Sequence, residues 1–277
     1  MRFVRFGEVG AEKPGVLDSD GNLRDLSGVV DDLTGDVLAA MPEIAPDALP
    51  LVEGNPRMGV PVAGIGKFIG IGLNYSDHAA ETGMEPPEYP IVFMKATSSL
   101  NGPDDVVRLP RGSRHSDWEV ELGVVIGKPT KYVTEAEALD YVAGYCIVND
   151  VSERKYQSKL SGQWTKGKSC DTFGPVGPWL VTPDEVGDPQ DLALTMDLNG
   201  ERQQTGSTSK MIFTVAQIIA HLSELMSLQP GDVICTGTPP GVGMAKDPRR
   251  FLTTGDEMTL EITGLGRQQQ RVEQDQA

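Results

Sequence analysis

Glu119 and Glu121 lie two positions apart in an otherwise apolar segment, residues 118–126 (WEVELGVVI). Valine and isoleucine favour β-strands, and side chains along a strand alternate between its two faces. The two carboxylates are therefore predicted to lie on the same face of one strand. Neighbouring carboxylates repel each other and resist joint ionisation unless a cation or a shared proton compensates them. The segment predicts either a divalent-metal site on a sheet or an exposed strand face that carries two charges.

Composition and charge narrow the class of protein. Of the 277 residues, 39% are hydrophobic, and the 32 glycines and 20 prolines indicate a globular chain with many turns. The formal net charge of −16 argues against nucleic acid or an anionic membrane as a partner. No apolar run approaches the ~20 residues that span a bilayer, and the N-terminus lacks the apolar core of a signal peptide. Three cysteines without a C-x-x-C pair fit a reducing compartment, so we expect a cytoplasmic protein.

The order of predicted elements favours a small N-terminal domain, residues 1–65, and a larger domain, residues 66–277. Strands are predicted at residues 3–6, 15–18, 23–26, 68–72, 90–95, 118–126, 142–148 and 231–235. Helices are predicted at about residues 31–41, 134–141 and 211–227. The glutamine-rich tail after Gly266 is expected to fray. Strands predominate in this pattern, which predicts a β-rich chain.

Asp150 follows a predicted apolar strand and adds a third carboxylate to Glu119 and Glu121. Taken alone, Asp150 is equally well explained as the N-cap of a following helix. Together the three side chains offer hard oxygen ligands, with no histidine or thiol close to them in the sequence. Such a set suits Mg²⁺, Mn²⁺ or Ca²⁺ rather than zinc or copper. Three protein ligands would leave positions on an octahedral Mg²⁺ ion for a chelating substrate.

His78 and Glu81 form a second candidate group, three positions apart. If Ser76 or Asp77 caps a short helix, the two side chains share one helix face and can hydrogen-bond. A carboxylate that orients an imidazole makes it a better general base near neutral pH. The other interpretation is a surface helix turn with an incidental i,i+3 pair.

Basic residues and one glycine-rich loop are candidates for binding a carboxylate. Lys166 and Lys168 alternate in a glycine-flanked turn, so one can face inward while the other faces solvent. Arg154 is either a carboxylate ligand or an ordinary salt-bridging surface residue. Residues 236–243 (TGTPPGVG) lack the Gly-Lys-Ser/Thr end of a Walker loop, but their hydroxyl and backbone N–H groups could hold a carboxylate.

Several of these segments, in this order along the chain, resemble the fumarylacetoacetate hydrolase family. The matching segments are residues 72–78 (GLNYSDH), 118–123 (WEVELG), 148–150 (VND), 166–169 (KGKS) and 231–243 (GDVICTGTPPGVG). The resemblance covers nearly all of residues 66–265. It implies a β-rich α+β fold, a mixed β-sandwich roll of this family preceded by a small N-terminal domain. It also implies a homodimer that binds Mg²⁺ or Mn²⁺.

The same resemblance implies roles for ten residues. The metal ligands would be Glu119, Glu121 and Asp150. His78 and Glu81 would be the water-activating pair, on a lid over the substrate, and Lys168 would be the active-site lysine. The positions around the substrate would be Lys95, Arg154, Gln157 and Thr238.

Within the family, the N-terminal segment and residues 93–103 are most similar to bacterial enzymes that act on diketo-deoxy sugar acids. The implied reaction is hydrolysis of a C–C bond in a 2,4-diketo acid, such as 2,4-diketo-3-deoxy-L-rhamnonate or -fuconate, to pyruvate and a second acid. Other reactions of the fold stay open: decarboxylation of oxaloacetate, acylpyruvate hydrolysis, isomerisation or hydration, and a ureidoglycolate lyase-like reaction. A metal-binding protein without turnover is the alternative outside enzymes.

Overall fold

The structure is a computed structural model that describes residues 1–77, 81 and 85–276. Its strands are β1 Arg2–Phe6, β2 Lys13–Leu17, β3 Leu23–Asp25, β4 Phe68–Gly72, β5 Ile91–Lys95, β6 Leu100–Asn101, β7 Val107–Leu109, β8 Ser116–Asp117, β9 Val120–Ile126, β10 Val142–Asn149, β11 Ser152–Glu153, β12 Gly174–Val181, β13 Ala193–Leu198, β14 Glu201–Ser207, β15 Val233–Cys235, β16 Glu257–Ile262 and β17 Gly266–Gln274. Its helices are α1 Gly35–Ala39, α2 Glu135–Ala138, α3 Arg154–Lys159, α4 Thr165–Lys168, α5 Pro183–Val186 and α6 Val215–Leu225.

Two large sheets carry most of these strands. The larger has the order β3-β2-β1-β12-β10-β9-β15-β4-β5, with β6 beside β12, and the smaller has the order β14-β13-β16-β17-β7. Apolar side chains from both sheets and from α6 form one continuous core. The capping box of Thr214 and Gln217 begins α6, the longest helix in the described residues. None of the helices described is both long and apolar enough to cross a membrane.

The two faces of β9 have different neighbours, and this places the glutamates. Val120, Leu122, Val124 and Ile126 belong to the core shared by the two sheets. Val125 points to the opposite face, into a second apolar cluster. Because strand side chains alternate, Glu121 lies on the same side as Val125 and outside the shared core.

The N-terminal segment covers much of that opposite face. β1 pairs antiparallel with β12 (Phe3 opposite Leu180), so the N-terminal hairpin extends the larger sheet. Leu26 and Leu33 belong to the same apolar cluster as Val125. This apolar cluster ends before Glu119 and Glu121, so the end of β9 that carries the glutamates can contact charged groups. A separate N-terminal domain, residues 1–65, stays a prediction.

The expectation that the tail frays is wrong. β17 extends to Gln274 and pairs along β16, and Gln268 and Gln270 are fully buried. Gln270 Oε1 accepts a hydrogen bond from Asn149 Nδ2 (3.0 Å), and Gln268 Nε2 donates to the Ile147 carbonyl (2.9 Å). Composition alone misled here, since alternate glutamines can be buried when each amide finds partners.

Candidate metal centre and active site

Glu119, Glu121 and Asp150 come together where β9 and β10 meet. The two strands pair antiparallel with Glu121 opposite Val148, and the Asp150 N–H donates to the Glu119 carbonyl at 2.9 Å. One carboxylate oxygen from each residue lies within 4.8 Å of the other two. Their exposed fractions are 6%, 2% and 0%. An exposed strand face that carries two charges is therefore excluded.

Two buried lysines contact these carboxylates. Lys168 Nζ lies 2.6 Å from Glu119 Oε2 and 2.5 Å from Asp150 Oδ2, so that one ammonium group bridges the two. Lys95 Nζ lies 2.6 Å from Asp150 Oδ1. Lys166 is exposed, as expected if only one of the alternate lysines faces inward. The turn is helical, however, and Lys168 ends α4.

Arg154 is part of the same cluster. The residue is only 7% exposed, and its Nη1 lies 2.7 Å from Glu119 Oε1. The same nitrogen donates to Gln157 Oε1 at 3.1 Å, one turn further along α3. The interpretation of Arg154 as an ordinary surface residue is wrong, because its charge is buried against a carboxylate.

Asp117 is a buried acid of the cluster that the sequence patterns did not identify. Its Oδ2 accepts hydrogen bonds from Arg154 Nε (2.9 Å) and the Met244 N–H (3.0 Å), and its Oδ1 accepts from the Gly243 N–H (2.7 Å). Asp117 thus fixes Arg154 and the loop around residue 243 relative to each other. A carboxylate two residues before Glu119 was a signal in the sequence, but nothing local linked it to Arg154.

Glu119 and Glu121 differ in their electrostatic environment although both are buried. Burial opposes ionisation of Glu119, but the positive charges of Lys168 and Arg154 outweigh it and hold its pKa below the usual range. Burial also raises the pKa of Glu121, and the negative charges of Asp150 and Glu119 raise it further, well above the usual range. Among the described residues, no lysine or arginine forms an ion pair with Glu121. Glu121 therefore holds the uncompensated charge of the cluster.

The charge balance of the cluster fits a divalent cation. Its members are four acids, Asp117, Glu119, Glu121 and Asp150, and three bases, Lys95, Arg154 and Lys168. With every group ionised, the cluster carries one excess negative charge. A divalent cation would convert this to one positive charge, which a substrate with a single carboxylate would neutralise. The donors are all carboxylate oxygens, the ligands that Mg²⁺ and Mn²⁺ prefer.

The glycine-rich loop holds one of these carboxylates. The Gly237 N–H donates to Glu121 Oε2 at 2.7 Å. Thr238 Oγ1 donates to the Val120 carbonyl (2.9 Å) and accepts from Gln204 Nε2 (2.8 Å). One N–H group of the loop thus holds a carboxylate of the protein itself, while binding of a substrate carboxylate by this loop stays a prediction. Gln204 reaches the loop from β14 in the other sheet, and no sequence pattern identified it.

A cavity of about 180 Å³ opens beside the cluster. Its polar wall includes Glu119, Glu121, Arg154, Gln157, Lys168 and Thr238, and its apolar wall includes Ile71, Leu73, Phe93, Trp164 and Met244. The Phe93 and Trp164 rings lie 5.5 Å apart, centre to centre. Gly72 makes room for Trp164, since a Cβ atom there would lie 2.3 Å from the indole ring. The cavity lining therefore combines charged and polar side chains with apolar ones, and the Lys168 ammonium lies 5.0 Å from the centre of the Phe93 ring.

Glu81 contacts the rim of this region. Its carboxylate accepts the Gly241 N–H at 3.1 and 3.2 Å. Gly241 belongs to the same glycine-rich loop whose Gly237 holds Glu121. His78 lies outside the described residues, so the His78–Glu81 pair stays a prediction.

The sequence model of the family described as "Fumarylacetoacetate (FAA) hydrolase C-terminal" matches residues 67–273. A protein of Sphingomonas sp. (strain SKA58) named 2,4-didehydro-3-deoxy-L-rhamnonate hydrolase is 60% identical over 273 residues, which are 98% of this chain and 96% of that protein. The match therefore extends over the N-terminal segment as well as the region that holds the carboxylates.

Two solved structures are similar over the whole chain. Fumarylacetoacetate hydrolase from Exiguobacterium antarcticum is 35% identical, with a TM-score of 0.89 over 99% of this chain and 100% of that one. Maleylpyruvate hydrolase from Sphingobium sp. SYK-6, in complex with manganese(II) and pyruvate, is 29% identical, with a TM-score of 0.83 over 100% of both chains. These similarities confirm the predicted fold class.

Proposed function

This chain belongs to the fumarylacetoacetate hydrolase family, and on that premise we propose that it hydrolyses the C3–C4 bond of a 2,4-diketo acid to pyruvate and a second acid. The proposed substrate is a diketo-deoxy sugar acid such as 2,4-didehydro-3-deoxy-L-rhamnonate or -fuconate. The named activity of the relative that is 60% identical over nearly the full chain supports this choice. The apolar wall of the cavity is compatible with the methyl end of a deoxy sugar acid.

The buried carboxylate cluster is the observation that carries the proposal. Glu119, Glu121 and Asp150 would hold Mg²⁺ or Mn²⁺, and a cation there would offset the negative charges of Asp150 and Glu119 that oppose ionisation of Glu121. When bound, the cation would supply a Lewis acid for the substrate's oxygen atoms and for the negative charge of the enolate product. A manganese ion is part of one similar hydrolase structure, which supports either metal.

The basic residues would bind and orient the substrate's charged end. Arg154, Gln157 and Lys168 line the same polar wall of the cavity, where their donors can hold a carboxylate. Thr238 lies on that wall beside Glu121. Lys95 contacts Asp150 from the opposite side to Lys168 and would hold that carboxylate in its charged form.

Water activation is assigned to His78, oriented by Glu81. His78 would take a proton from water, and the hydroxyl oxygen would bond to the C4 carbonyl carbon. The C3–C4 bond then breaks, its electron pair passes to C3, and the pyruvate enolate forms. The Lys168 ammonium would stabilise that negative charge, and a proton delivered to C3 completes pyruvate. The Gly241 N–H holds Glu81 on the loop between Thr238 and Met244, two residues that line the cavity, which supports this placement.

We also propose that the protein is a cytoplasmic homodimer. The family resemblance in residues 66–265 supports the dimer. Sedimentation velocity would test it, and a monomer at micromolar concentration would contradict it.

Pyruvate release is the direct test of the reaction. A panel of diketo-deoxy sugar acids, acylpyruvates and oxaloacetate would be assayed with Mg²⁺, with Mn²⁺ and with EDTA. We expect fastest pyruvate formation from a diketo-deoxy sugar acid, equal amounts of a second acid by NMR, and none in EDTA. Faster turnover of oxaloacetate would refute the proposed hydrolysis in favour of decarboxylation. An isomerised product without pyruvate would refute it in favour of isomerisation.

His78→Ala tests the proposed base. Removing the imidazole should lower kcat by a factor of about 10² to 10⁴, since that is the usual contribution of a positioned base. Metal affinity should stay unchanged, because His78 is not a proposed ligand. Isothermal titration with Mn²⁺ and the pyruvate assay would separate the two effects, and full turnover would refute the assignment.

A further inference from the structure

A second cavity, of about 330 Å³, adjoins the metal cavity. Arg154, Ser158 and Met244 line both cavities, so the two are separated by little more than these side chains. We call the second cavity the basic groove; its remaining lining residues are His115, Lys155, Lys159, Arg249 and Phe251. An anion in the basic groove would therefore lie next to the Arg154 side of the metal cavity.

Three cations of the basic groove, unlike Arg154, have no ion-pair partner among the described residues. Lys155, Lys159 and Arg249 are exposed, and none of them forms an ion pair with a described residue. Lys155 and Lys159 are four positions apart on α3, so their like charges lie on one helix face and repel each other. Repulsion between the two lysines lowers the stability of the folded protein, and an anion bound in the groove would offset that loss.

The nearest acids are Glu153 and Asp117, and Glu153 Oε1 lies beside the groove, 3.4 Å from the Lys155 backbone nitrogen and 3.9 Å from His115 Nδ1. Glu153 is buried, and its Oε2 accepts hydrogen bonds from Ser113 and from Ser116 (2.9 Å). Asp117 is engaged by Arg154 and by the backbone of the loop at residue 243. The exposed charges that line the groove are therefore those of Lys155, Lys159 and Arg249, while the buried Glu153 carboxylate lies on its His115 side.

The rest of the chain makes this patch unusual. The protein carries 40 acidic and 24 basic residues, a formal net charge of −16, and such a field repels an anionic substrate at long range. A local positive groove beside the active site counters that repulsion where the substrate must arrive. Clefts with charge of one sign raise the local concentration and association rate of the oppositely charged ligand.

We propose that the basic groove is a carboxylate-binding vestibule, which captures a small carboxylate electrostatically and delivers it past Arg154 to the metal cavity. The identity of the carboxylate rests on the proposed function. The proposal that a carboxylate binds in the groove does not rest on the proposed function, because such binding depends only on the charges and the cavity of the groove.

The kinetic test reverses the charge of the vestibule. In the double variant Lys155→Glu/Lys159→Glu, kcat/KM for the diketo acid should fall about fivefold at low ionic strength, while kcat and Mg²⁺ affinity stay unchanged. Raising the salt concentration should lower kcat/KM of the wild type and raise that of the double variant, in which only the repulsion by the net negative charge remains to be screened. Lys128→Glu is the control for charge reversal away from the groove, with half the change in net charge, since Lys128 is exposed beyond the far end of β9. A loss equal to that of the control, or an unchanged salt dependence, would refute the vestibule.

A binding test separates this proposal from the proposed reaction. Saturation-transfer NMR with acetate, on the full chain in EDTA, should give a signal that the double variant reduces and Lys128→Glu does not. If the wild type releases no pyruvate from any substrate, the proposed function fails, while the acetate comparison still decides the vestibule. Equal acetate signals in the wild type and both variants would overturn the vestibule proposal.

Discussion

Two buried polar regions share β10, and they differ in how their charges are compensated. Near residues 147–149, Gln268, Gln270 and Asn149 form a neutral amide network in which each amide has hydrogen-bond partners. Immediately after the strand, Asp150 joins a cluster of carboxylates that carries one excess negative charge when every group is ionised, and this opposes the ionisation of Glu121. A neutral satisfied network only has to hold the two sheets together. A buried excess charge requires a counter-ion, which is why we assign function to the second region.

Replacing the Glu121 carboxylate by an amide tests the difference between the two polar regions most strongly. Glu121→Gln keeps the shape and the acceptor for Gly237 N–H but removes the excess charge. We expect activity to fall by about 10³, Mg²⁺ affinity to be lost, and metal-free stability to be unchanged or higher. Pyruvate release would measure the activity, isothermal titration the Mg²⁺ affinity, and urea unfolding the stability. Retained Mg²⁺ affinity would count against the metal site.

Removing a cation from the cluster should destabilise it. Lys168→Met leaves Glu119 and Asp150 without their bridging ammonium, so we expect a loss of about 3–5 kcal/mol in the free energy of unfolding of the metal-free protein. Lys166→Met is the matched control, because Lys166 is exposed on the same helix. Urea unfolding in EDTA measures both variants. Equal stability of the two would show that Lys168 does not compensate buried charge.

The opposite change, in which a carboxylate replaces an amide, tests the neutral network. Gln270→Glu would place a carboxyl group against the Pro103 carbonyl and the Gln268 side-chain oxygen, two acceptors. We expect a loss of about 3 kcal/mol in the free energy of unfolding, greater at pH 8 than at pH 5, because the buried group ionises as pH rises. Mg²⁺ should not rescue this variant, in contrast to the natural carboxylate cluster. Rescue by Mg²⁺ would mean that the two regions do not differ as described.

The pH dependence of metal binding gives the smallest effect. Burial and the charges of Asp150 and Glu119 raise the pKa of Glu121 in the metal-free protein, so this carboxyl must lose its proton before it binds a cation. Apparent Mg²⁺ affinity should therefore rise with pH, by at most about tenfold per pH unit below that pKa. Calorimetry in buffers of different ionisation enthalpy would show the released proton. An apparent affinity that does not rise with pH, without proton release, would contradict it.

The sequence predicted the parts of the site that depend on local structure. Strand alternation places Glu119 and Glu121 on one face, and Asp150 follows from the end of the next strand. Asp117 and Gln204 were missed because their roles depend on partners distant in the chain: Arg154 is 37 residues away, and Thr238 is 34 residues away. The tail was misjudged for the same reason, since the partners of Gln268 and Gln270 come from other strands.

The alternation along β9 also limits how this protein can change over evolutionary time. Even-numbered residues of the strand fill the core between the sheets, while Glu121 and Val125 face the other way. A single inserted or deleted residue within the strand would reverse both sets at once, because side-chain direction repeats every two residues. It would drive a carboxylate into the apolar core and a valine toward the cavity. Insertions should therefore be tolerated in the surface turns but not between Glu119 and Ile126, where length itself is under selection.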